Sequence, residues 1–141
     1  MSAGAGSTVA GALADRPDLA SGVARLFATV EDGRFDPDIL DLCRTRVGTL
    51  LRCPNHAGPV PPRETLSERQ RACLDFAELF VLDHHGITDR QAAELTAVLS
   101  DAEMVSFTTA LALYDGFCRF ELTLPRDRQP PGDLQPPRDR S

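Results

Sequence analysis

Residues Leu66–Phe120, LSERQRACLDFAELFVLDHHGITDRQAAELTAVLSDAEMVSFTTALALYDGFCRF, decide the fold. Three times in this stretch a hydroxyl residue is followed three positions later by Gln or Glu: Ser67 with Gln70, Thr88 with Gln91, and Ser100 with Glu103. In such a pair the hydroxyl accepts from a first-turn N–H while the longer side chain reaches back to the cap N–H, so each pair marks a helix start. Apolar residues recur behind each start at helical spacing, predicting helices over 67–83, 89–99 and 101–124. Working outward toward the N-terminus, Asp36 before Pro37 predicts a further start, and Asp15 before Arg16–Pro17 another. A capping acceptor followed by proline suits a first turn, whose N–H groups lack intrahelical partners. These starts give helices over 37–52 and 16–31. No long run alternates with period two, so the expected fold is all-α, with about five helices.

Each predicted helix carries an apolar stripe. The second has Ile39, Leu40, Cys43, Val47, Leu50 and Leu51, and the third Cys73, Leu74, Phe76, Ala77, Phe80 and Val81. The fifth has Met104, Phe107, Thr108, Leu111, Tyr114, Phe117 and Cys118 and is apolar over much of its circumference, which suits a central helix or one packed against another subunit. Residues 1–14 are expected to be a flexible start, 15–124 the helical domain, and 125–141, PRDRQPPGDLQPPRDRS, a disordered Pro/Arg-rich tail.

A chain of 141 residues holds one such domain. Its net charge of −6 argues against nucleic-acid or anionic-membrane partners, which favour a basic face. No apolar run approaches the ~20 residues of a membrane span. The first residues lack the basic and leucine-rich regions of a signal peptide, so a cytoplasmic location is expected. All 15 basic residues are Arg, which excludes a lysine Schiff base. In a cytoplasmic protein the four cysteines, 43, 53, 73 and 118, are more simply free thiols than a disulfide framework. Cys43, Cys73 and Cys118 fit buried apolar positions.

The remaining cysteine lies in LLRCPNHAGPVPP, Leu50–Pro62, where a helix gives way to a proline-rich break and His56 follows Cys53 by three residues. A neighbouring imidazole favours the thiolate, although a helix-end thiol beside a loop histidine is an equally simple reading. His84 and His85 precede Gly86, a candidate C-cap glycine, and a histidine there suits the negative end of a helix. Adjacent histidines point apart, so one at most faces a pocket. A zinc site of Cys53, His56 and one of that pair would have a single incomplete ligand pair where structural sites bring two. No metal site and no cofactor are therefore expected.

RPDLASGVARLFATVEDGRFDPDILDLCRTRVGTLLRC, Arg16–Cys53, together with the stretch 66–120, resembles the alkylhydroperoxidase D-like, carboxymuconolactone decarboxylase superfamily. The resemblance spans about residues 16–124 and implies a helical bundle assembled as a homo-oligomer, often a trimer or hexamer. It sets Asp41 at the family's glutamate, Cys53 at the first cysteine of its Cys-x-x-Cys dithiol and His56 at the second. The family's histidine falls at Val60, and Arg46 and Arg119 match recurrent arginines. In redox members the two cysteines form a disulfide during peroxide reduction while the glutamate and histidine move protons. This chain departs from that pattern because His56 has no sulfur, and only Pro54–Leu66 separates the motif helix from the next.

Three functional expectations follow. The first is a non-redox enzyme working on a small carboxylated or carbonyl substrate by decarboxylation, elimination, isomerisation or cyclisation, with secondary metabolism as one setting. Asp41 and His56 are then the acid–base groups with Cys53 beside them, and Arg46, Arg119 and His85 hold substrate. The second is residual alkylhydroperoxidase or thiol oxidoreductase activity through Cys53, with a resolving sulfur borrowed from another cysteine. The third is a non-catalytic oligomeric binding protein.

Overall fold

The computed structural model describes residues 11–124. The expected flexible start, up to residue 10, and the expected disordered tail lie outside these residues. Within them the chain forms five α-helices of eight residues or more and no strand. They are α1 (Pro17–Val30), α2 (Pro37–Leu50), α3 (Glu68–Leu82), α4 (Asp89–Thr96) and α5 (Asp101–Thr123). Single 3-10 turns sit at Arg63–Thr65 and His84–Gly86. No helix is long and apolar enough to cross a membrane.

The three capping boxes form as the sequence requires. Gln70 N donates to Ser67 Oγ at 3.1 Å, Gln91 N to Thr88 Oγ1 at 3.2 Å and Glu103 N to Ser100 Oγ at 3.2 Å. The N3 side chain in each accepts from the cap N–H in return. Asp36 caps α2 through Asp38 N at 2.9 Å, with Pro37 at the first helical position. Two local expectations are corrected. Pro17 takes the first helical position of α1, so the cap falls to Arg16 and not Asp15, and the Arg16 guanidinium grips Asp18 in a two-pronged contact of 3.0 and 2.9 Å. Gly86 is not the C-cap of α3: Asp83 ends that helix, and its carboxylate accepts from Gly86 N at 3.1 Å.

Helix α2 packs on α3 and α5, α1 on α5, and α4 on α3. Phe27, Ile39, Val47, Cys73, Phe107 and Leu111 lie in the common core. Removing a fully buried ring such as Phe107 costs about 3–5 kcal/mol, because solvation and packing are lost together. A smaller cluster of Leu42, Leu66 and Leu74, with Val60 packed on it, pins the proline-rich connection to the outer side of α2 and α3. Thr49 fastens the same connection, donating to Gly58 O and accepting from Gly58 N, both at 3.1 Å.

Candidate functional site

The end of α2 creates the site. Its last carbonyls are closed by two reversed bonds, Cys53 N to Gly48 O at 2.8 Å and Arg52 N to Thr49 O at 3.2 Å. This is the pairing of a Schellman ending, which needs a left-handed residue between the helix and the outgoing chain. Arg52 supplies it at φ 57°, where glycine is the usual occupant. The chain then turns back, with His56 N and Ala57 N donating to Cys53 O at 3.1 and 2.9 Å. The returning turn lies directly on Gly48, where a Cβ would meet His56 at 2.6 Å and Ala57 N at 2.8 Å. A glycine is required here by the closeness of the turn.

That reversal sets Cys53 and His56 against one face of α5, where Cys118 and Glu121 sit one turn apart. All four side chains are buried. The Cys53 thiol donates to Glu121 Oε2 at 3.2 Å, and Asn55 Nδ2 reaches the same oxygen at 3.5 Å. His56 Nε2 lies 3.2 Å from each oxygen of the Glu121 carboxylate. The ligating atoms of Cys53, His56 and Cys118 lie within 4.8 Å of one another. On the far side of the imidazole, Arg44 approaches Nδ1 at 3.4 Å and holds Asp41 Oδ1 at 2.7 Å. A guanidinium only donates, so Nδ1 accepts and Nε2 carries the hydrogen toward Glu121.

These contacts bias the charges. Burial pushes the Glu121 carboxyl up, but the hydrogen bonds from His56, Cys53 and Asn55 outweigh it, leaving Glu121 below its ordinary range. The Cys118 thiol is pushed up, first by the Cys53 thiol beside it and then by burial. Cys43 is pushed up mainly by burial, and Cys73 to about 12 for the same reason, which suits inert core thiols.

Of the six residues singled out in the sequence, the structure brings Cys53 and His56 into direct association and joins Asp41 to them only through Arg44. The Asp41 carboxylate itself is exposed. Arg46 pairs with Glu78 at 2.9 Å, and Arg119 with Asp115 at 3.0 Å on its own helix. His85 is exposed, and against the expectation that adjacent histidines point apart its ring lies tilted beside that of His84, the centroids 4.1 Å apart. The buried carboxylate at the imidazole is Glu121, which the sequence reading passed over. A signal was present: Phe107, Leu111, Tyr114, Cys118 and Glu121 follow one buried stripe of α5, so a charged residue occupies a core position. One surface cleft of about 390 Å3 lies between α3 and α4, and another of about 250 Å3 runs beside α2, lined by Asp38, Asp41 and Thr45. Neither is lined by Cys53, His56, Cys118 or Glu121.

No family model, curated protein or solved structure matches this chain.

Proposed function

We propose that the chain is a thiol oxidoreductase that reduces a small hydroperoxide, with Cys53 as the attacking thiol and Cys118 as the resolving one. The observation that carries the reading is the second sulfur: Cys118 Sγ stands within 4.8 Å of the Cys53 thiol, in a cluster where the sequence motif offered only an imidazole. The similarity to the alkylhydroperoxidase D-like superfamily supports it, as does the buried carboxylate–imidazole pair at the thiol. The acid–base alternative draws less support, since its carboxylate, Asp41, stands in solvent and reaches the imidazole only through Arg44.

In the first step Cys53 gives its proton to Glu121, with which it already shares a hydrogen bond, and its sulfur attacks the hydroperoxide. The O–O bond breaks, Cys53 becomes a sulfenic acid, and the departing alkoxide takes the proton. In the second step the Cys118 thiol condenses with the sulfenic acid, releasing water and leaving a Cys53–Cys118 disulfide. An external dithiol then supplies two electrons and two protons and returns both thiols. Cys53 takes the first role because its thiol already donates to the Glu121 carboxylate that accepts the proton. The same reading carries a cytoplasmic setting, where thiols stay reduced, and a homo-oligomer in which the exposed apolar side chains Leu19, Leu26, Val105 and Leu122 are covered.

The test is consumption of cumene hydroperoxide by the metal-free protein with dithiothreitol as reductant. The wild type turns over and Cys53→Ser does not; after one equivalent of hydroperoxide without dithiothreitol, the wild type ends as a Cys53–Cys118 disulfide, whereas Cys118→Ser ends with Cys53 as a sulfenic acid. No consumption by the wild type, or unaltered turnover in Cys53→Ser, would refute the reading.

A further inference from the structure

Two short pairs of the sequence meet in the buried cluster: Cys53-x-x-His56 at the reversal after α2, and Cys118-x-x-Glu121 on α5. Each holds two metal-competent side chains three residues apart, and together they supply two sulfurs, one nitrogen and one carboxylate. The geometry points to a zinc site formed by Cys53, His56, Cys118 and Glu121. It uses the same sulfurs as the proposed redox chemistry but does not depend on that reading, since metal retention and hydroperoxide consumption are measured separately.

Three of the donors are already gathered to within small movements of a tetrahedral arrangement, and the fourth, Glu121, touches two of them. Zn–S and Zn–N bonds of roughly 2.3 and 2.0 Å place tetrahedral ligands roughly 3.3–3.8 Å apart. Cys53, His56 and Cys118 lie within 4.8 Å of one another, and Glu121 is 3.2 Å from both Cys53 Sγ and His56 Nε2. Closing the Cys53, His56 and Cys118 set needs a contraction of about 1 Å at most, and Glu121 joins it from its contacts with Cys53 and His56. Thiolate and imidazole donors favour zinc over the hard cations magnesium and calcium, which take oxygen ligands.

Charge also favours occupancy. Two thiolates, one carboxylate and a divalent ion leave one negative charge in the interior, and Arg44, 3.4 Å from the imidazole, offsets it. Coordination through Nε2 moves the imidazole hydrogen to Nδ1, so Arg44 must turn wholly to Asp41, which it already holds at 2.7 Å. Four buried polar side chains in one place are costly as an apolar core but form a complete ligand set for a metal. Zinc and a disulfide compete for the same two sulfurs, so a loaded site keeps both cysteines reduced.

The experiment uses the full chain, incubated with zinc chloride under reducing conditions, gel-filtered and analysed for metal, with cobalt(II) as a spectroscopic substitute. One zinc per chain is expected, and cobalt(II) should give thiolate charge-transfer absorption in the near ultraviolet with the intense visible bands of a tetrahedral ion. Cys118→Ala should lose the charge-transfer intensity from one thiolate. Glu121→Gln should weaken zinc in a chelator competition by about 10- to 100-fold. If Cys118→Ala fails to fold by circular dichroism, the cobalt spectrum of the unaltered protein decides. Failure of that protein to retain zinc, a cobalt complex without thiolate absorption, or unchanged affinity in a folded Cys118→Ala would overturn the site.

Discussion

Gly48→Ala isolates the packing that builds the site. In an ordinary helix interior this exchange stabilises by about 1 kcal/mol, because alanine loses less backbone freedom on folding. At Gly48 the new Cβ would meet the His56 backbone and Cβ at 2.6 Å, whereas ordinary contact begins at 3.4 Å. The Cys53–Ala57 turn must therefore retreat by about 0.8 Å. Such a retreat stretches the 3.2 Å contacts from Cys53 and His56 to Glu121 toward 4 Å, beyond hydrogen-bond length. Gly22, exposed in α1 with nothing within 4 Å of its would-be Cβ, is the control. Both variants share the gain in helix propensity, so the difference between them is the overpacking cost, about 1–3 kcal/mol. Urea denaturation of the two variants against the wild type measures that difference. Hydroperoxide consumption and zinc retention should fall in Gly48→Ala and hold in Gly22→Ala. Equal stability changes in the two variants, or an undiminished site in Gly48→Ala, would show that the turn does not depend on the bare helix surface beneath it.

Two other perturbations follow from the same structure. Arg52→Gly removes the left-handed strain at φ 57° at the cost of a freer unfolded chain; a net gain of about 0.5–1 kcal/mol in calorimetry is expected, and a loss would mean that the Arg52 side chain contributes contacts. The Glu103 carboxyl is held down to about 2, chiefly by its hydrogen bond from Arg69. Its folded pKa lies below its unfolded value of roughly 4.3, so the stabilisation is complete above that value and is lost as pH falls toward 2. Glu103→Gln keeps the capping acceptor for Ser100 N but removes the charge. The gap in urea midpoint between wild type and Glu103→Gln should be full at pH 6 and reduced to about a quarter at pH 2.5. A gap of the same size at both would sink the assignment.

The helices were legible because their signals are local. Ser67, Thr88 and Ser100 each announce a start within four residues of themselves, and the apolar stripes behind them say which side is buried. Where a local signal was ambiguous, as with Asp15 against Arg16, geometry moved the boundary by one residue. The site was only half legible. Cys53 and His56 are close in sequence and stood out as a pair, but their partners lie 65 and more residues away on α5. Read locally, Cys118 was one more small apolar residue on a stripe, and Glu121 one more charge near a helix end. Arg46 and Arg119 show the converse. Long side chains settle on whichever carboxylate is near, Glu78 for Arg46 and Asp115 for Arg119, and no spacing rule reveals that choice.

By itself, then, the sequence determined the helices, their buried sides and the presence of a thiol and an imidazole at the end of α2, because capping and amphipathicity act within a few residues. Only the tertiary structure decided what those two groups face. A left-handed residue at Arg52 reverses the chain, Gly48 lets the returning turn lie flat on its helix, and the packing of α2 on α5 brings up Cys118 and Glu121. The chemistry of the cluster depends on distances between separate segments, and those distances are fixed when the helices pack.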